Sequence, residues 1–169
     1  GTPKGVLKKV IGTNAERVVR LAHCPVITLK GKDHRNGCEN IILPLDLGKQ
    51  TKEKVTLAIE YARYWDATIR VVSILLRDKQ EIKDKLVRNL NQVEKFISDA
   101  DLACSAELLE GEKGKGLASS ILDYEKKFES DLIVIGSNTP SLLVQINKKN
   151  IVNILVNESG KVLIDDQPI

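Results

Sequence analysis

Two histidines and three cysteines are the residues of this 169-residue chain best suited to bind a metal ion. His34 and Cys38 are four residues apart, and His23 and Cys24 precede them along the chain. A closed zinc site needs four such ligands at coherent spacing. His34 lies in a polar, turn-rich segment, and the four residues do not form such a set. We therefore expect no metal site.

Catalysis has little support from the same residue types. A nucleophile must lie beside a base that is itself oriented by a third group, and two histidines near the amino terminus do not supply such a set. The neighbouring carboxylates Asp165 and Asp166 fall on a terminal strand and tail, where solvation explains them. We expect that the chain is not an enzyme.

Asp46 is the most informative polar residue, because it ends a short apolar run. Ile41 to Asp46 predicts a β-strand. In open parallel sheets, ligands bind outside the carboxyl ends of the strands. A carboxylate at a strand end can equally cap the turn that follows, here with Gly48 and Thr51. Both interpretations of Asp46 stay open.

The sequence predicts strands that alternate with helices from residue 41 onward. The predicted strands are Ile41 to Asp46, Ile69 to Leu76, Cys104 to Leu109, Asp131 to Gly136 and Lys161 to Asp165. The predicted helices are Glu53 to Trp65, Asp78 to Ile97, Leu117 to Phe128 and Asn150 to Asn157. This alternation predicts an α/β fold whose open, mostly parallel five-stranded sheet has helices on both faces.

The first forty residues predict a separate helix and strand. Val6 to Ala22 has apolar residues at near-helical spacing, Pro25 ends that helix, and Val26 to Leu29 is a β-prone run. A polar segment at 33–40 predicts a linker. The predicted organisation is a short first segment at 1–32, this linker, and a complete domain at 41–169.

Composition favours a cytoplasmic protein that binds neither nucleic acid nor membranes. The formal net charge is only +3, and lysines alternate with acids instead of forming a basic stripe. The sequence shows no apolar run long enough to span a bilayer and no signal-peptide pattern. Three cysteines at unrelated spacings fit a reducing compartment better than a disulfide framework.

A weak internal repeat relates the two ends of the chain. Gly12 to Lys32 resembles Lys148 to Asp166, which lies 136 residues later. An offset of one domain length indicates a duplicated domain, of which only the tail of the first unit is present. The residues that align are Asn14, Val18, Val19, Val26 and Ile27 with Asn150, Ile154, Leu155, Val162 and Leu163.

The order of these elements and their motifs resembles the universal stress protein family. The resemblance is carried by Ile41 to Asp46 with its terminal Asp, by Asp131 to Ser137, and by Gly12 to Arg20 followed by Cys24 to Val26. It covers almost the whole chain. The chain is identified as a tandem member of this family, truncated at its amino terminus, with the adenine nucleotide alpha hydrolase-like fold.

The resemblance implies an ATP site built on glycines. ATP-binding members carry Gly-x-x-Gly, nine residues, and then Gly-Ser or Gly-Thr, because glycines let backbone N–H groups approach the phosphates. In the first unit Gly12 and Thr13 match the end of that motif, and Gly5 matches a glycine of its spacer. Thr2 stands where the second glycine belongs, so this chain carries at best half of that first site.

In the second unit the resemblance places Asp46 against the adenosine portion of the ligand and the backbone of Ile74 against adenine. Gly136 and Ser137 begin the glycine motif. Ile74 can equally be a plain core residue.

The phosphate end of that second site departs from the family pattern. Lys148 and Lys149 occupy the place of Gly12 and Thr13 in the repeat alignment. Lysines attract a phosphate as point charges, but the cradle of backbone donors is lost. This change argues against ATP in this chain.

The first segment must dock elsewhere, because about thirty residues cannot bury enough surface to fold alone. Universal stress proteins pair through their fifth strands in antiparallel fashion. We therefore expect Val26 to Leu29 to lie beside Val162 to Ile164 as an extra antiparallel edge strand, within one chain or between two.

These features favour a stress-response regulatory protein whose parent binds ATP through its first unit, while the second unit is a scaffold or dimerisation module. The alternative is that the second unit itself binds an adenine nucleotide or another small ligand at Asp46. An ATP-hydrolysing enzyme has the least support, because no Mg²⁺ ligand or water-positioning residue can be named, although weak ATPase activity stays open.

Overall fold

The computed structural model describes residues 21–22, 26–28, 37–48, 51–136 and 152–156. Its elements in chain order are strand β1 (Val26–Thr28), strand β2 (Asn40–Pro44), helix α1 (Thr51–Trp65), strand β3 (Thr68–Leu75), helix α2 (Gln80–Ser98), strand β4 (Cys104–Glu110), helix α3 (Leu117–Phe128), strand β5 (Leu132–Gly136) and strand β6 (Val152–Val156). The predicted helix Val6 to Ala22 and the predicted strand Lys161 to Asp165 lie almost wholly outside these residues.

The strands form one six-stranded sheet in the order β1-β6-β5-β2-β3-β4. The five strands from β6 to β4 are parallel to their neighbours, and β1 is antiparallel to β6. The chain builds outward from β2 in both directions, so the strand order reverses beside β2. This arrangement confirms the predicted α/β fold with a mostly parallel sheet and an added antiparallel edge strand.

Helices cover both faces of the sheet, as the sequence predicts. Helices α1 and α2 pack on one face against Ile41, Ile69 and Val71, whereas α3 packs on the other face against Ile42 and Ile133. Ile41 and Ile42 are both fully buried, since successive side chains of a strand point to opposite faces. The central strand β2 therefore contributes to two hydrophobic cores.

The helices form where apolar residues repeat at helical spacing. Helix α2 buries Leu86, Leu90, Val93 and Ile97, which are four, three and four residues apart and so make one stripe. Ile82, predicted at the amino-terminal end of this stripe, is half-buried. Among the described helices, none is both long and apolar enough to cross a membrane.

Asp131 holds the amino-terminal ends of β2 and β5 in line. Its Oδ2 accepts hydrogen bonds from the backbone N–H groups of Glu39, at 2.8 Å, and Asn40, at 3.1 Å. Its own N–H donates to the carbonyl of Asn40 at 3.0 Å. These three bonds fix the register in which the two strands run toward their carboxyl ends.

The predicted helix Asn150 to Asn157 is wrong, because this segment contains strand β6. The run Ile151 to Val156 is apolar at every position except Asn153, a pattern that suits a helix, yet it is also rich in β-branched residues that favour strands. Periodicity cannot separate these states in so short a run. The segment forms a strand because its backbone pairs with β5 on one side and with β1 on the other.

The edge pairing of β1 also differs from the prediction. Val26 lies opposite Leu155 and Thr28 lies opposite Asn153, so the partner within the described residues is β6 and not Val162 to Ile164. Residues 162–164 lie outside the described part. The residues that the repeat aligns with this segment, Asn14 to Val19, lie outside the described part of the chain, so the repeat stays a prediction.

Candidate functional site

A narrow cleft lies at the carboxyl ends of β2, β3 and β5, on the face of the sheet that α3 covers. Three of the predicted site residues, Asp46, Ile74 and Gly136, line it together. The other predicted site residues, Gly5, Gly12, Thr13 and Ser137, lie outside the described residues. The complete lining is Pro44, Leu45, Asp46, Lys54, Val72, Ile74, Leu117, Ile121, Ile135 and Gly136.

Asp46 follows β2 because the strand ends at a proline. The last bond from this segment toward β3 is donated by the N–H of Leu45 to the carbonyl of Val72, at 2.8 Å. Asp46 then turns away, and its Oδ1 accepts the N–H of Gly48 at 3.0 Å. Asp46 therefore caps the turn, as one of its two interpretations predicted.

Turn capping uses Oδ1 of Asp46 and leaves Oδ2 able to accept a hydrogen bond from a ligand. No residue in the described part of the chain donates a hydrogen bond to Oδ2, and 40% of the side chain is exposed. The Asn89 amide fixes the backbone from behind by donating to the Asp46 carbonyl at 3.3 Å. Asp46 can thus cap the turn with Oδ1 and accept a ligand hydrogen bond with Oδ2.

Lys54 also lines the cleft, and the sequence pattern did not single it out. It lies on α1, its side chain is only 5% exposed, and its Nζ donates to the carbonyl of Pro44 at 3.0 Å. The same Nζ is 3.7 Å from Oδ1 of Asp46. Its signal in the sequence is a lysine one turn before the buried Ala58, on the apolar face of the helix.

The surroundings of Lys54 have two opposing effects on its pKa. Burial lowers the pKa of Lys54 below its ordinary value of 10.5, and the nearby Asp46 carboxylate only partly offsets that effect. Burial disfavours the charged form of a lysine, whereas a neighbouring anion favours it. The ammonium therefore lies in a site that solvates it poorly.

The rest of the cleft is apolar. Val72, Ile74 and Ile135 project from the sheet, and Leu117 and Ile121 face them from α3. The space between them holds little more than a water molecule. A larger ligand would have to move the α3 side chains, and it would then contact apolar walls with two charged groups at one end, an arrangement typical of small-molecule sites.

The described cysteines are poor nucleophiles. Burial raises the pKa of Cys38 to about 12 and that of Cys104 to about 11, and only the thiolate reacts. Both side chains pack against the hydrophobic core beneath α1 and α2. Within the described ranges, no group of three or more histidine, cysteine, aspartate or glutamate side chains is placed to hold a metal ion.

Comparison with known proteins gives matches only at the level of structure. No model of a protein family matches this sequence, and no curated protein matches it. A universal stress protein from Archaeoglobus fulgidus in complex with dAMP is 24% identical, with a TM-score of 0.61 over 70% of this chain and 97% of that chain. The universal stress protein UspA from Lactobacillus plantarum is 17% identical, with a TM-score of 0.58 over 73% of this chain and 99% of that chain.

A longer universal stress protein from Archaeoglobus fulgidus DSM 4304 matches over more of this chain. It is 14% identical, with a TM-score of 0.70, and the match covers 89% of this chain and 55% of that chain. The sheet is doubly wound, and its cleft lies at the strand ends. The chain has the fold of the universal stress proteins, as its sequence predicts.

Proposed function

We propose that this chain is a universal stress protein-like regulatory protein that binds an adenine nucleotide in the cleft beside Asp46. The observation that carries the proposal is the convergence of Asp46, Ile74 and Gly136 at the carboxyl ends of three adjacent strands. That convergence lies where the strand order reverses, which is where open α/β sheets bind ligands.

The chemistry of the cleft supports an adenine compound. Once the α3 side chains move aside, Ile74 and Ile135 offer an apolar surface for a flat base, and Oδ2 of Asp46 offers an acceptor for a hydroxyl or amino group. One structural neighbour was solved in complex with dAMP. The argument against ATP is that Lys148 and Lys149 stand where the family motif has a glycine and a hydroxyl residue, and these two residues lie outside the described part of the chain.

We propose binding and not catalysis. The described cysteines hold their protons tightly, and phosphoryl transfer needs metal ligands and a positioned water that neither the sequence nor the described cleft supplies. A cytoplasmic location, argued from the cysteine spacings, is part of the same proposal.

Titration calorimetry with ATP and AMP tests the proposal. Loss of a charge-assisted hydrogen bond costs about 1.5–3 kcal/mol, so we expect Asp46→Ala to weaken binding by about tenfold or more. Asp84→Ala removes an exposed carboxylate on α2 and serves as the matched control, with unchanged affinity. Equal affinities of the wild type and Asp46→Ala would refute the proposed site.

A second variant acts on the position of the same carboxylate. A β-carbon added at Gly48 would lie 2.8 Å from Oδ1 of Asp46, so Gly48→Ala must turn the carboxylate away. Because the end of a side chain can move cheaply, we expect weaker nucleotide binding with little change in the free energy of unfolding.

A second function is favoured by the antiparallel pairing of β1 with β6. In this alternative a preceding unit of the parent protein binds ATP, and the unit described here is a scaffold or dimerisation module joined to it through the edge strands. Calorimetry on this chain and on a chain extended by a full preceding unit separates the two functions. Binding by the extended chain alone would favour the scaffold.

A further inference from the structure

We propose that Lys54 is a specificity-determining residue of the cleft and that it binds a negatively charged oxygen group of the ligand, either a phosphate or a carboxylate. This inference rests on the proposed function, because it concerns the same cleft and names the chemical class of group that the cleft selects.

The hydrogen-bonding capacity of Lys54 is only partly used. An ammonium carries three N–H donors, and the carbonyl of Pro44 takes one of them at 3.0 Å. Oδ1 of Asp46 is 3.7 Å away, which is beyond hydrogen-bond distance. Lys54 lines the cleft, and no other described residue accepts from it at hydrogen-bond distance. Donor capacity therefore remains for an atom inside the cleft.

The burial of Lys54 explains why that atom should be anionic. Taking an ammonium out of water is unfavourable, and only close acceptors and opposite charge offset this effect. Burial lowers the pKa of Lys54 although Asp46 lies nearby, so Asp46 offsets the effect only in part. An anionic oxygen on the cleft side of Nζ would supply both missing contributions.

Asp46 does not cancel the positive field inside the cleft. Its side chain is 40% exposed, whereas that of Lys54 is 5% exposed, and water screens an exposed charge far more than a buried one. Oδ1 of Asp46 is also engaged by the N–H of Gly48. A ligand group near Nζ therefore interacts more strongly with the ammonium of Lys54 than with the carboxylate of Asp46.

Lys54 also has a structural contact, because its bond to Pro44 ties α1 to the end of β2. The test must therefore separate ligand selection from support of the fold. Adenosine and AMP differ by one phosphate and share all other groups. A purely structural role of Lys54 would change the affinity for both compounds by the same factor.

We would measure both affinities by calorimetry on the wild type, Lys54→Met and Lys54→Gln. Methionine keeps the unbranched apolar stem without the ammonium, and glutamine is one atom shorter but keeps an N–H donor without the charge. Lys52→Met is the matched control, because Lys52 is an exposed lysine of the same helix. We expect the wild type and Lys52→Met to prefer AMP by about tenfold, as one charge-assisted hydrogen bond predicts, and both Lys54 variants to lose that preference.

Two results would overturn the inference while leaving the proposed function intact. One is an equal affinity of the wild type for adenosine and AMP. The other is a preference for AMP that Lys54→Met and Lys54→Gln retain.

If no adenine compound binds, the proposed function fails and a second measurement decides the role of Lys54. Lysine labelled at the ε-carbon is followed by NMR during titration with inorganic phosphate and, separately, with acetate. A saturating shift of the Lys54 signal with either anion, absent from Lys52, would support the anion site and identify its preferred source. A Lys54 signal that neither anion moves would overturn the inference.

Discussion

Lys54 and Asp46 form a pair in which each residue has a structural and a chemical role. Asp46 caps the turn after β2 with one oxygen, and Lys54 ties α1 to Pro44. Both nevertheless keep hydrogen-bonding capacity toward the cleft. The cleft is therefore built from groups that the fold already requires, and changes to them must be judged on stability and on binding separately.

The buried ammonium predicts an unusual dependence of stability on pH. The pKa of Lys54 is lower in the folded protein than its ordinary value of 10.5, so the unfolded chain holds this proton more tightly. Stability rises with pH wherever the unfolded state binds more protons. The contribution of Lys54 to the free energy of unfolding should therefore increase as pH rises from its folded pKa toward 10.5.

Urea unfolding of the wild type and Lys54→Met at a series of pH values from about 7 to about 10 measures this contribution. We expect the difference in the free energy of unfolding to shift toward the wild type as pH rises. Tyr61 and Tyr124, whose pKa values burial raises, titrate in both proteins and cancel in the difference. A difference that stays constant with pH would show that Lys54 has an ordinary pKa.

The residues of the site could be predicted only in part from the sequence. Asp46 and Gly136 end apolar runs, so the rule for parallel sheets places them at one edge. Ile74 is 7% exposed and also lines the cleft, so it is both a core residue and a cleft residue. Lys54 escaped prediction because it stands on an otherwise apolar helix face, where a lysine normally bends its charge outward into water.

At the scale of elements, the sequence predicts a helix set by local pattern better than a strand set by tertiary pairing. Helix α3 begins and ends where the sequence predicts, because the spacing of its apolar residues is a local signal. The sequence predicts a helix where strand β6 forms, because a short apolar run fits both states. These residues form a strand because they pair with β5 and with β1, and a local pattern does not reveal such pairing.

Paired cysteines can test the register of β1 on β6. In a chain whose native Cys24, Cys38 and Cys104 are replaced by alanine, Thr28→Cys is combined with Asn153→Cys. These positions lie opposite each other, at a separation that antiparallel neighbours and disulfides share. We expect rapid disulfide formation under mild oxidation, measured by mass spectrometry and by gel mobility without reductant.

The comparison pair is Thr28→Cys with Leu163→Cys, which would report the partner that the resemblance to universal stress proteins predicts. Faster cross-linking of that pair would contradict the register seen here. The size of the cross-linked product also distinguishes pairing within one chain from exchange between two chains, because only exchange yields a covalent dimer.

At the scale of the whole molecule, the order of the strands determines which edge of the sheet carries the cleft. The sheet grows outward from β2 in two directions, and the cleft lies at the carboxyl ends of β2 and β5, where the strand order reverses. Alternating strands and helices in the sequence predict a parallel sheet, whereas the order of the strands comes from the structure. The width of the cleft depends on how α3 packs over it, and the sequence pattern does not encode that distance.

The most direct test of nucleotide binding in this cleft is methyl NMR with isoleucine labelling during an ATP titration. Ile74, Ile121 and Ile135 line the cleft, whereas Ile59 and Ile97 belong to the core on the opposite face of the sheet. We predict saturable shifts of the three cleft methyl groups and unchanged signals from the other two. Unmoved cleft methyl groups at high ATP concentration, or shifts confined to the opposite face, would contradict the proposed site.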